Sequence, residues 1–144
     1  MFNRTRAYDI LGIKGLLFLL VSFLVPAQTV DFYLYETYYV LEMPDAFRTM
    51  ACLLLALYTI YTFLQHKLYS VALIWAHIIL TTLTAGLGIF FLYRASAAYR
   101  SNFSDWAWFE TNNKIVVVTL MAFLLAQVLL AANVLIGIFR RRPG

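Results

Sequence analysis

The sequence predicts an all-α integral membrane protein, a four-helix bundle with both termini in the cytoplasm and aromatic loops at the outer surface. Three observations lead there. The 144 residues are 63% hydrophobic and only 12% charged, a composition typical of membrane proteins. Uncharged stretches of 16, 18, 26 and 25 residues separate Lys14 from Asp31, Arg48 from Lys67, Lys67 from Arg94, and Lys114 from Arg140. A helix crossing the hydrocarbon needs about 20 apolar residues. The basic residues also sort by side once four spans are drawn. Arg4, Arg6, Lys14, Lys67, Arg140, Arg141 and Arg142 share one side, whereas Arg48, Arg94, Arg100 and Lys114 share the other. The richer side stays in the cytoplasm, which places a single multi-pass domain, residues 1–144, in the inner (plasma) membrane. The net charge of +4 comes from this inner basic rim and favours anionic lipid headgroups, not nucleic acid.

The first helix is expected over about residues 10–30, with Lys14 snorkelling to the inner boundary. A cleaved signal peptide is the rival reading, because Arg4 and Arg6, an apolar run and Pro26-Ala27-Gln28 have that order. Asp9 and Lys14, close to the run, favour retention. Residues 31–47 then bring Phe32, Tyr33, Tyr35, Tyr38, Tyr39 and Phe47 together with charged groups, a mixture suited to the headgroup layer.

A second helix is expected over about 47–65 and a third over about 68–93. The Gln65-His66-Lys67 turn between them is tight, which makes them antiparallel neighbours. Cys52 stands alone, so no intrachain disulfide, redox pair or thiolate cluster exists. On helix three, His77, Thr81, Thr84 and Gly88 follow at spacings of 4, 3 and 4 and share one face. With Ala85 they form a small or hydroxylated stripe that admits a neighbouring helix. Residues 95–113 carry Tyr99, Phe103, Trp106, Trp108 and Phe109, a second aromatic layer. The fourth helix, about 114–139, has a comparable patch in Ala131, Ala132, Asn133 and Gly137.

Polar groups inside the spans must find partners. Counted from the nearest charges, Tyr58, His77 and Gln127 all fall near mid-depth on three different helices. A hydrogen-bonded Tyr58–His77–Gln127 cluster around a neutral imidazole is therefore expected, acting as structural glue. Its alternative role is cofactor binding at His77. The other histidine, His66, lies about 15 Å away in depth, so the two do not serve as axial ligands of one haem. No catalytic residue is expected. Asp31, Glu36, Glu42 and Asp45 have no histidine nearby, which leaves no metal site, and no nucleophilic triad order, phosphate loop or intramembrane carboxylate pair occurs.

The segment Asp31-Phe32-Tyr33-Leu34-Tyr35-Glu36-Thr37-Tyr38-Tyr39-Val40-Leu41 resembles the D-x-x-L-H-D-T-Y-Y-V-V stretch of the large catalytic subunit of haem-copper oxidases, cytochrome c oxidase subunit I. In that family the stretch lies on the outer side and leads into a helix with an H-x-H pair of haem ligands. Here Tyr35 and Glu36 replace its His-Asp, and Met43-Pro44-Asp45 stands where H-x-H would be. The resemblance therefore implies an outer location without oxygen reduction. Trp75-Ala76-His77-Ile78-Ile79-Leu80-Thr81 is similar to the W-x-H-x-x-L-T helix of short bacterial membrane proteins that look like fragments of that subunit.

Together these features predict a non-catalytic scaffold or accessory subunit, without cofactor, that packs in the lipid bilayer beside other membrane proteins or itself. The alternative is a redox-associated protein binding haem or quinone through His77. A channel or transporter ranks last for want of ionisable residues in the spans.

Overall fold

The computed structural model describes residues 4–34, 37–99 and 106–140. Four helices, α1 (Arg4–Ser22), α2 (Met43–Leu64), α3 (Val71–Tyr99) and α4 (Trp106–Arg140), are joined by one hairpin of strands β1 (Thr29–Leu34) and β2 (Thr37–Glu42) between α1 and α2. Among the described residues, three helical segments are long and apolar enough to cross a membrane: Met43–Leu64, Val71–Ala95 and Glu110–Phe139. α1 is outside that set because Arg4, Arg6, Asp9 and Lys14 interrupt it. Large apolar side chains point outward throughout; Leu24 is 82% exposed, Phe63 78% and Leu125 67%. Such a surface belongs in hydrocarbon.

α1 ends eight residues short of the expected boundary. The chain turns at Ser22, whose Oγ donates to the Leu19 carbonyl at 2.6 Å, and Pro26 cannot resume the helix. The expectation of helix up to about residue 30 is corrected, and the aromatic outer segment that follows is a β-hairpin. Its register pairs Thr29 with Glu42, Val30 with Leu41, Asp31 with Val40, Phe32 with Tyr39, Tyr33 with Tyr38 and Leu34 with Thr37. The aromatic residues that suit the headgroup layer also suit strands, where the β-branched Thr29, Val30, Thr37 and Val40 join them. Val30 is buried with Met43, Ala46, Phe47 and Ile89, which fastens the hairpin to α2 and α3.

α2 starts four residues before its expected boundary. Pro44 occupies its first turn, where a missing N–H costs nothing, and the Met43 N–H donates to the Gln28 carbonyl at 2.8 Å. α3 and α4 run longer than the uncharged stretches, 29 and 35 residues, or about 43 Å and 52 Å. Both exceed a hydrocarbon core of about 30 Å. Charges mark where a span leaves the apolar layer, whereas the helix continues until its backbone bonds end.

The closest packing is within two pairs, α1 along α2 and α3 along α4; α1 also touches α3. α2 and α3 meet over a smaller area despite their short connection. Over residues 110–139 of α4 the buried residues are Asn112, Val116, Thr119, Phe123, Ala126, Leu130, Asn133 and Gly137. Alternating steps of four and three give a seven-residue repeat, the seam of left-handed helix pairing. On the other pair, Gly15 lets the backbones approach: a Cβ there would lie 2.8 Å from Leu55 Cγ and 3.3 Å from the Ala51 carbonyl oxygen. A core of Ala7, Tyr8, Leu11, Leu54, Tyr61, Ile74, Ile78 and Leu130 joins all four helices near one end.

Candidate functional site: a buried Tyr–His–Gln relay

His77 sits on the α3 face directed at α4 and α2, with none of its surface exposed. Tyr61 Oη lies 2.8 Å from its Nδ1, and Gln127 Oε1 lies 3.0 Å from its Nε2. Thr81, one turn along, places Oγ1 3.2 Å from the same Nε2. The Gln127 amide group donates from Nε2 to the Phe123 carbonyl at 2.9 Å.

That last bond orders the rest. A backbone carbonyl only accepts, so the NH₂ of Gln127 faces Phe123 and its oxygen faces His77. An amide oxygen also only accepts, so the proton of the imidazole is on Nε2. In the neutral ring Nδ1 then carries a lone pair, and Tyr61 is the donor. The direction is Tyr61 to His77 to Gln127 to the α4 backbone, with every polar atom in that path satisfied. Tyr61 is itself stacked on Tyr8, at 6.1 Å between ring centroids and 10° between planes. The Tyr8 hydroxyl donates to Gln65 Oε1 at 2.9 Å, so polar contacts touch α1, α2, α3 and α4.

Among the expected residues, His77 and Gln127 are brought together. The partner from α2 is Tyr61, not Tyr58. The Tyr58 ring faces α1, where a Cβ on Gly12 would lie 3.2 Å from its Cδ2, and its centroid is 6.4 Å from that of Tyr8. Counting from the nearest charges favours Tyr58; with α3 beginning at Val71, His77 sits nearer the inner end and meets Tyr61, one turn further along α2, while the Tyr58 ring packs on Gly12 of α1. The expected mid-depth position also shifts. Residues 68–70 belong to the turn, so α3 begins at Val71 and His77 lies six residues, about 9 Å, along it.

Thr81, Thr84 and Ala85 are buried in the stripe. Thr84 Oγ1 donates back to the Leu80 carbonyl at 2.8 Å, and Gly88 lies against Thr119 Cγ2, 3.8 Å from where a Cβ would stand. The Asn133 and Gly137 patch has a more definite role. Asn133 Oδ1 accepts from the Tyr69 N–H at 3.1 Å and the Ser70 N–H at 2.8 Å, while its Nδ2 donates to the Ser70 carbonyl at 3.1 Å. One turn on, a Cβ at Gly137 would run into the Lys67 carbonyl. The α2–α3 turn is thereby strapped to α4.

In the oxidase-like segment, Asp31, Thr37, Tyr38 and Tyr39 are hairpin positions, and Tyr35 and Glu36 lie outside the described residues. The hairpin packs at Ile89, twelve residues and about 18 Å along α3 from His77. The segment and the histidine are in separate layers. Both imidazole nitrogens already have partners, so an iron ligand at His77 would displace Tyr61 or Gln127. His66 is exposed in the turn. Among the described residues, no group of three His, Cys, Asp or Glu side chains could hold a metal ion. No family model, curated protein or solved structure matches this chain.

Proposed function

We propose that the chain is a small inner-membrane scaffold or accessory subunit without catalysis of its own, crossing four times with both termini inside and packing beside other membrane proteins. One observation carries this reading: the buried relay from Tyr61 through His77 to Gln127 closes on the α4 backbone and leaves no ring nitrogen for a ligand. Polar residues placed at a cost inside a membrane mark function when they face a cavity; here they face each other and join helices. The apolar exterior supports a life among lipids and other spans. α1 supports a fourth crossing, since its 19 residues reach about 28 Å and its outer face, Ile13, Leu16, Leu17 and Leu20, is exposed and apolar.

The second reading, a haem- or quinone-binding redox-associated protein, draws on the oxidase-like segment and the Tyr61–His77 pair. Visible spectra of the protein purified in mild detergent, oxidised and dithionite-reduced, test for haem, and organic extraction with ultraviolet detection tests for quinone; together they separate the two. The scaffold reading predicts a colourless protein, with His77→Ala lowering stability alone. A Soret band lost in His77→Ala would replace it with the redox reading.

A further inference from the structure

Basic residues far apart in the chain meet at one corner of the bundle, and the packing of the α2–α3 turn brings them there. On one side of that turn, Tyr8 donates to Gln65 Oε1 at 2.9 Å, and Leu68 is buried with Ala7, Tyr8 and Leu130. Arg4, the first residue of α1 and one turn before Tyr8, therefore lies at the same end as Gln65. On the other side, Asn133 holds the Tyr69 and Ser70 backbone, and Gly137 abuts the Lys67 carbonyl. Arg140, the last residue of α4, follows Gly137 by three positions and so continues its face. His66 and Lys67 are exposed in the turn. Against these cations this end of the bundle has one acid, Asp9, which is exposed.

The opposite end is balanced differently. There Arg48 pairs with Asp45 at 2.9 Å and Lys114 with Glu110 at 2.7 Å, whereas Lys67 makes no ion pair among the described residues. Next to the basic corner the surface turns apolar: Phe63, four residues before Lys67, is 78% exposed, and Phe139, beside Arg140, is 65% exposed. A soluble anion would use the charge alone, whereas a lipid with an anionic head uses both the charge and the apolar border. We propose that the corner formed by Arg4, Lys67 and Arg140 binds the headgroup of one anionic phospholipid, with its acyl chains along Phe63 and Phe139. The site requires only that the chain spans a membrane, so it stands under the scaffold reading and the redox reading alike.

The test is native mass spectrometry of the full chain in neutral detergent, with equal amounts of phosphatidylglycerol and phosphatidylcholine of the same acyl chains. The first bound lipid should be phosphatidylglycerol by about tenfold. Lys67→Gln should lower that preference about fivefold, and Lys67→Arg should keep it. Adding Arg140→Gln to Lys67→Gln should abolish it. Lys114→Gln, at the opposite end, should leave it unchanged. Lys67 and Lys114 are exposed, so the helicity and elution of their variants should match wild type. Equal binding of the two lipids by the wild type overturns the site, as does a preference above about threefold in the double variant. A loss in Lys114→Gln equal to that in Lys67→Gln reports overall charge and overturns the corner. Glycerol phosphate at the lipid's concentration should leave the lipid adduct intact; displacement would identify a site for soluble anions and overturn the lipid.

Discussion

Tyr61 donates a hydrogen bond to His77 Nδ1 across 2.8 Å, and the direction of that bond is set on a third helix, by the Gln127 amide anchored to Phe123. The pair links α2 to α3 where their backbones share little other contact. Removing the donor leaves a buried imidazole nitrogen without a partner. Tyr61→Phe should therefore cost about 1–2 kcal/mol in stability, read by reversible unfolding in mixed micelles. Tyr58→Phe, on the α1-facing side, should stay within about 0.5 kcal/mol of wild type. Equal losses would mean that both hydroxyls carry similar bonds.

The tautomer is open to direct observation. Ring ¹⁵N shifts of His77 should report a protonated Nε2 and an accepting Nδ1. In Gln127→Leu the constraint disappears, and the two tautomers should become mixed, with a stability loss of about 1 kcal/mol. A wild-type spectrum with the proton on Nδ1 would reverse the direction derived above.

Asn133 holds two N–H groups and one carbonyl of the α2–α3 turn. Asn133→Ala should cost about 1–3 kcal/mol and speed hydrogen exchange at the Tyr69 and Ser70 amides, while exchange in the middle of α4 stays slow. Unchanged exchange at those two amides would remove the strap.

Glycine substitutions should separate close approach from open space. Gly137→Ala meets the Lys67 carbonyl and should be strongly destabilising, and Gly15→Ala meets Leu55 and should lose stability to a lesser degree. Gly86 has nothing within 4 Å, so Gly86→Ala should be neutral or gain up to about 1 kcal/mol from helix propensity. Thermal unfolding in detergent ranks the three; a Gly137→Ala variant as stable as Gly86→Ala would contradict the packing.

The four helices and three of the apolar spans were legible because charge and hydropathy report the solvent of each segment. What was not legible depends on phase and on competition between structures. Tyr58 and Tyr61 are one turn apart on α2; the start of α3 at Val71, which sets the level of His77, and the packing of Tyr58 on Gly12 of α1 select between them. The Thr29–Glu42 hairpin was hidden because the aromatic residues that suit the headgroup layer also suit strands. Asn133 and Gly137 were visible as a small polar patch, but its occupant, the Lys67–Ser70 turn, appears only once α2, α3 and α4 are in place.

The central claim is that the buried polar groups serve helix cohesion, and a double-mutant cycle of Tyr61→Phe and His77→Leu measures it most directly. A coupling of about 0.6–1.7 kcal/mol is the predicted result. Strictly additive losses would contradict it, since the two side chains would then be spending nothing on each other.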